Sequence, residues 1–159
     1  MGLRKMKEYT VTTMEDVKEE EIVPKVIDAF RHVDDRGVLT QTFGDNFTPK
    51  RCYEIKDRAG VIRGMHGHKK ESKLIYVSKG LVKFVIYEMT SEDEVIPLYD
   101  FTLSSDKPQT LLIPAGYYHG FKSLKSSVIH FYSDATLEES KKDDYRAEVD
   151  TRGFKVMPR

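Results

Sequence analysis

Two histidines one residue apart, His66 and His68, lie between Arg63 and Lys73 in the segment GVIRGMHGHKKESKLIYVSKG. Side chains two apart on an extended strand point to the same face, so both imidazoles would share one side of a sheet. An imidazole titrates near pH 6.5, so it can move a proton near neutrality or, when neutral, ligate a metal. A fixed cation beside it can hold an anion or stabilise negative charge that develops during a reaction. A third histidine, His119, sits in IPAGYYHGF, where Pro114 and Gly116 make a turn that presents it at the start of a strand. His32 and His130 stand singly in strand-like runs and read as structural, and Lys69 and Lys70 read as exposed charges.

The elements that must carry these residues are strands. Pro24 opens PKVIDAFRHVDDRGVLTQTF, in which the DDRG at 34–37 is a turn between two strand-like runs. CYEIK follows at 52–56, with a turn at 57–60. LIYVS, the turn Lys79-Gly80 and LVKFVIYEM form a hairpin pattern, with Val82, Phe84 and Ile86 on one face and Lys83, Val85 and Tyr87 on the other. Further strands are predicted at 95–103, 110–116 and 127–134, separated by SED, SSDKP and KSLKS. Short strands at this spacing indicate a sandwich or small barrel. Thr136 to Glu139 fits a capping box, which predicts one helix running to about Ala147.

At 159 residues the chain is of single-domain size, with residues 1–22 read as a charged extension and 23–159 as the domain. Lysine plus arginine number 26, as do aspartate plus glutamate, so no global field attracts nucleic acid or an anionic membrane. An anion site must therefore be local. The single cysteine, Cys52, excludes an internal disulfide, and no run approaches the ~18 apolar residues of a membrane span. With no apolar signal segment at the N-terminus, a cytoplasmic globular protein is expected.

Gly60, His66, His68, Glu71 and Gly80, followed by Pro114, Gly116 and His119, resemble the two cupin half-motifs. Glu71 comes one residue early, Gly80 two residues late, and Ser123 stands where cupins often have asparagine. The fold this implies is all-β, a cupin-type double-stranded β-helix (jelly roll) with a short C-terminal helix. Asp35-Arg36-Gly37, VIRGMHG, Lys73-Leu74 and IPAGYYHGF further resemble the dTDP-4-dehydrorhamnose 3,5-epimerase family over about residues 24–134. KRCYEIKD with RGMHGHK, and SDATLEESKKDDY, are similar to a sister group, the nucleotide-sugar 3,4-ketoisomerases.

Both groups remove the proton beside a ketone of a nucleotide-linked sugar and return it to another face or another carbon. The residues suit that chemistry, since it needs a base with a pKa near 7 and a fixed positive charge at the ketone oxygen. The resemblance implies that His66 is the base, Lys73 the oxyanion partner, and Arg63 a residue that holds the sugar or orients the base. It makes Arg36 the grip on the diphosphate, reaching from a neighbouring subunit of a homodimer, and His119 a cavity histidine near the sugar. His68 matches a second functional histidine of the ketoisomerases. Gln41 replaces an acidic residue of the nucleotide-contacting strand. The tyrosine acid of the epimerases has no counterpart in 134–139, and their base-pairing aspartate lies in a C-terminal segment missing from this shorter chain. Tyr132, Tyr117 or Tyr118 could supply the proton, or the enzyme could act at one carbon or isomerise.

Three rivals stand beside this reading: a solvated loop with incidental histidines, a metallocupin and a non-catalytic sugar-binding cupin. The metal reading uses His66, His68 and His119 with Glu71. Arg63 and Lys73 oppose it, because a dication and one positive charge about 8 Å apart repel by roughly 4 kcal/mol at an effective dielectric of 20. The expected enzyme is therefore metal-free, without a cofactor, and acts on a nucleotide-diphosphate 4-keto-6-deoxysugar.

Overall fold

The computed structural model describes residues 22–89, 97–148 and 154. Twelve strands and one short helix are found among them. The strands are β1 (Lys25–Asp28), β2 (Phe30–Asp34), β3 (Gly37–Gln41), β4 (Arg51–Asp57), β5 (Ile62–His68), β6 (Lys73–Lys79), β7 (Leu81–Glu88), β8 (Pro97–Ser104), β9 (Gln109–Ile113), β10 (Tyr117–Ser123), β11 (Ser127–Ser133) and β12 (Tyr145–Arg146). They form two five-stranded sheets, in the orders β1-β9-β6-β11-β4 and β12-β5-β10-β7-β8, with β2 and β3 as a separate hairpin. All pairings are antiparallel, as the jelly roll requires. The expected extension at residues 1–22 lies outside the described residues except for Ile22. So do the SED turn at 91–93 and the first two residues of the strand expected at 95–103.

The two large sheets close face to face on one apolar layer. Ile75, Val77, Leu111, Ile113, Ile129 and Phe131 come from the first sheet, and Val82, Phe84, Ile86, Leu103 and Phe121 from the second. The even-numbered residues of β7 thus fill the core, as their alternation predicts. Val85 and Tyr87, on the other face of β7, are also buried, because Met65 and Phe154 cover them in a second cluster. Strands buried on both sides read as near-continuous apolar runs, which β6 and β7 do. Gly80 makes the turn between them at φ +92° with Ser127 Cα 2.9 Å from where a Cβ would stand. Only glycine fits there without strain.

The helix is shorter than its sequence pattern predicts. The capping box forms, with Thr136 accepting from the Glu139 N–H and the Glu139 carboxylate from the Thr136 N–H, but α1 spans only Leu137–Lys141. Beyond it the chain returns to extended form, and β12 pairs with β5 as Tyr145↔Gly67 and Arg146↔His66. The edge of β5 offers unpaired backbone groups that outcompete two further helical turns. No helix of the described residues is long and apolar enough to cross a membrane.

Candidate active site

The three histidines come together on two neighbouring strands. His66 on β5 lies opposite His119 on β10, and His68 lies opposite Tyr117 one strand-repeat away. The ring centroids of His66 and His119 are 6.3 Å apart, and those of His68 and His119 6.1 Å. A register shift in the β5–β10 pairing between His119 and Phe121 places Arg63 opposite Phe121, so Arg63 reaches the same cavity as His66 despite the odd spacing. The backbones approach closely at this point: a Cβ on Gly64 (φ +133°) would lie 2.7 Å from Gly120 Cα.

These side chains line a cavity of about 270 Å³ between the ends of the two large sheets. From the first sheet, β4 supplies Arg51 and Tyr53, β6 Lys73 and β11 Phe131. The second sheet supplies Arg63, His66, His68 and His119, and α1 with the turn after it adds Ser140, Lys141 and Asp144. Lys73 thus faces His66 across the gap. Its Nζ donates to the Tyr53 hydroxyl at 2.8 Å and is 3.9 Å from Glu71. Tyr53 stacks flat on Phe131, with centroids 5.1 Å apart. Burial holds the Lys73 ammonium below the usual lysine value, while the Glu71 charge opposes that fall. Burial, and next the Glu71 charge, push the Tyr53 phenol up, so it keeps its proton.

His66 is half-buried, with Nδ1 4.0 Å from Asp144 Oδ1. Burial, then the Arg146 and Lys73 charges, lower its pKa from the ordinary histidine value, and Asp144 acts in the opposite sense. Arg63 is held by a two-pronged ion pair with the buried Asp57, at 2.8 and 2.9 Å. Glu71 is buried and fully engaged, accepting from Arg51, Ser133 and Ser140. Burial alone would raise its pKa, but those hydroxyls with Lys73 and His68 bring it below the usual carboxylate value. Among the described residues no group of three or more histidine, cysteine or carboxylate side chains is arranged to hold a metal ion.

Several sequence expectations change here. Tyr132 does not line the cavity: alternation along β11 turns Phe131 inward, and Tyr132 packs edge-on to Phe43 at 4.9 Å. Tyr117 packs with Tyr99 and the core, and Tyr118 with the outer apolar cluster, so neither reaches the cavity either. The tyrosine that does is Tyr53, which shares a strand face with Arg51 and Ile55, a period-2 signal present in RCYEI. The carboxylate nearest His66 is Asp144, in the segment that leads into β12 and its pairing with β5. Glu71 takes the part of a buried anchor. Arg36 and Gln41 lie exposed on the β2–β3 hairpin, outside this cavity, and Arg36 pairs with Asp34. His32 pairs with Asp34, and His130 with Ser78 at 2.8 Å. Lys69 and Lys70 are exposed, Lys69 lying over the Tyr145 ring.

Comparison with known proteins gives a consistent result. A sequence model of the family described as dTDP-4-dehydrorhamnose 3,5-epimerase matches residues 23–153. The spore coat polysaccharide biosynthesis protein SpsL of Bacillus subtilis (strain 168) is 27% identical over 139 residues, covering 82% of this chain and 92% of that protein. Many solved structures share the fold, among them the following two. The dTDP-4-dehydrorhamnose 3,5-epimerase from Sulfolobus tokodaii does so at TM-score 0.68 and 22% identity, covering 77% of this chain and 76% of that one. The QdtA 3,4-ketoisomerase from Thermoanaerobacterium thermosaccharolyticum, a double mutant in complex with TDP, does so at TM-score 0.64 and 24% identity, covering 78% and 87%.

Proposed function

The chain belongs to the dTDP-4-dehydrorhamnose 3,5-epimerase family, isomerase-class enzymes that act on nucleotide sugars, and from that premise we propose a specific reaction. The enzyme epimerises a dTDP-linked 4-keto-6-deoxysugar, at carbon 3 or at carbons 3 and 5, by proton abstraction through His66. The observation that carries this is the facing pair: a half-buried imidazole beside Asp144 on one sheet, and a buried Lys73–Tyr53 pair on the other. A cavity of about 270 Å³ suits a hexose better than a whole nucleotide sugar, since sites for drug-sized ligands start near ~300 Å³.

In this reading the neutral His66 imidazole takes the proton beside the ketone. The C–H electrons form the enolate double bond, and the negative charge on oxygen is met by the Lys73 ammonium. The Tyr53 hydroxyl accepts from Lys73, which leaves its own O–H free to reprotonate the carbon from the opposite sheet. The resulting phenolate is stabilised by Lys73 until it regains a proton from solvent while the His66 imidazolium releases its own to solvent, which returns both groups to their starting states. Asp144 orients His66 and stabilises the imidazolium, and Arg63, braced by Asp57, holds the sugar or its phosphate. A 3,4-ketoisomerase is the second reading, favoured by one observation: His68 is buried in the same cavity with a free ring nitrogen.

The proposal includes a homodimer in the cytoplasm. Phe30 and Leu39 on one face of the β2–β3 hairpin, and Val33 and Val38 on the other, are all more than half exposed, apolar surface that a second copy would cover. Arg36 at its tip would then grip the diphosphate in the partner's site, with Gln41 along the same hairpin. Incubation with a dTDP-linked 4-keto-6-deoxyhexose in heavy water tests the chemistry. Deuterium at carbon 3, or at carbons 3 and 5, is expected. His66→Ala should abolish it with dTDP binding nearly intact. Exchange that survives in that variant removes His66 as the base, and a wild-type protein that binds without exchange is a binding module.

A further inference from the structure

Asp143 is buried, at 7% exposure, in a stretch whose other residues from Lys141 to Arg146 are all exposed. It stands outside the cavity that its neighbour Asp144 lines. Its carboxylate accepts from three successive backbone N–H groups, those of Lys69 and Lys70 at 2.8 Å and of Glu71 at 3.0 Å. Its carbonyl oxygen, which can only accept, takes a hydrogen bond from His68 Nδ1 at 2.6 Å. One residue thus ties the segment after α1 to the end of β5 and to the turn that follows it. We propose that Asp143 is a positioning residue of the site: by clamping that segment it holds Asp144 beside His66. This rests on the reading of His66 as the base and adds a residue on which that base depends.

Little else fixes Asp144. The helix α1 has five residues and none of them is buried, and β12 pairs with β5 over two residues only. Ser140 Oγ donates to Glu71 at 2.9 Å, which fixes the end of α1 but not the residues beyond it. An ordered segment needs contacts that offset its lost conformational entropy, and apolar burial supplies little here. Asp143 supplies them instead. Successive backbone N–H groups form an anion-binding concavity, and their bonds to a carboxylate are roughly twice as strong as neutral ones. Burial would raise the Asp143 pKa, but the three N–H groups, and next His68, hold it below the usual carboxylate value. The clamp is therefore charged at neutral pH.

Without the clamp Asp144 has another partner. Its Oδ1 is 4.0 Å from His66 Nδ1, while its Oδ2 is 3.3 Å from the exposed Arg146 guanidinium. A segment released from the turn lets Asp144 follow Arg146 into water. The charged groups that act on His66 are Arg146 from β12, Lys73 from β6 and Asp144, with Arg63 also on the cavity wall and the rings of His68 and His119 beside it. Of these only Asp144 favours the imidazolium.

The test is the His66 pKa, read by NMR titration of the imidazole in wild type, Asp143→Asn, Asp144→Asn and the double variant, with His66→Gln assigning the signal. A close opposite charge moves a pKa by about 1–3 units, and both side chains are more than a third exposed, so Asp144→Asn should lower the His66 value by about one unit. Asp143→Asn keeps the side chain's shape but removes its charge and sets an amide NH2 against a backbone N–H. It should give half of that fall or more, and lower kcat/KM for deuterium exchange by about tenfold. In the Asp144→Asn background it should move the pKa by no more than about 0.3 unit, the scatter between independent sites. A smaller fall in Asp143→Asn would overturn the proposal even if activity or stability dropped, because a merely structural role gives that result. A larger shift in the absence of Asp144 would overturn it too, since Asp143 would then act on His66 directly. Asp143→Ser, which keeps a smaller acceptor, is the second variant should the first not fold, and is held to the same criterion. The two readings fail separately. The titration needs no turnover, so a wild type that exchanges no deuterium ends the epimerase reading and leaves Asp143 to be judged by the His66 pKa.

Discussion

At His66 opposing charges act on one imidazole. Burial, Arg146 and Lys73 lower its pKa, while Asp144 raises it. A base must be deprotonated to act, so kcat/KM should rise with pH through an acid limb lying below the ordinary histidine value of about 6.5. Replacing Asp144 with asparagine removes the raising charge, and the limb should move to still lower pH. Arg146→Gln removes a lowering charge and should move it upward. A pH–rate profile of the three proteins reads this directly, and a limb that stays put in both variants would show that another group titrates. At the same scale Tyr53 replaces Tyr132 as the candidate acid. Its place was latent in the alternation Arg51, Tyr53, Ile55, whereas Tyr132 is turned outward by the same alternation on β11.

At the scale of elements, the site depends on how closely β5 and β10 approach. Gly64 and Gly120 face one another there, and Gly64 has a positive φ that other residues rarely adopt. Gly64→Ala should therefore push the strands apart and move all three histidines at once. A loss of about 1–3 kcal/mol in stability with a disproportionate loss of activity is expected, measured by denaturant unfolding and by deuterium exchange. Wild-type stability and activity together in that variant would mean that the close approach is dispensable. The segment after α1 is the second decisive element. It carries Asp143 beneath the turn after β5 and Asp144 beside His66, and both placements follow from the short helix giving way to β12.

For the whole molecule, charge balance excludes a global electrostatic role, and the exposed apolar residues on the two faces of the β2–β3 hairpin are the surface for the proposed dimer. Arg36→Ala and His66→Ala proteins should each be inactive, and a mixture allowed to exchange subunits should regain activity. One site of the hybrid then combines an intact His66 with an intact Arg36 from its partner. A mixture that remains inactive while exchanging subunits would sever Arg36 from the partner's site. The buried His119 makes stability depend on pH in a definite direction. Its folded pKa lies well below the unfolded value of about 6.5, so the unfolded chain binds more protons between the two. Stability should be unaffected by this group above about pH 6.5 and fall as pH drops through the interval below it. Urea unfolding as a function of pH should show that slope, diminished in His119→Leu.

Period-2 alternation, turn residues and two half-motifs were enough to determine an antiparallel sandwich and to bring His66, His68, His119 and Lys73 onto its inner surfaces. These signals are local: a strand's faces and a turn's glycine are written within a few residues. What only the tertiary structure decided involves partners far apart in the chain. Asp144 reaches His66 because β12 completes an exposed edge of β5, and no local pattern tells a helix to stop at Lys141 for that purpose. Tyr53 meets Lys73 across two strands that are not neighbours in their sheet. His68 and His119 come within 6.1 Å of one another, ring to ring, and His68 Nδ1 within 2.6 Å of the Asp143 carbonyl, only because β10 pairs with β5 and the segment after α1 folds back on them. Spacing along a strand sets which face a side chain takes, but ring separations depend on how strands pack, and that is a property of the folded molecule alone.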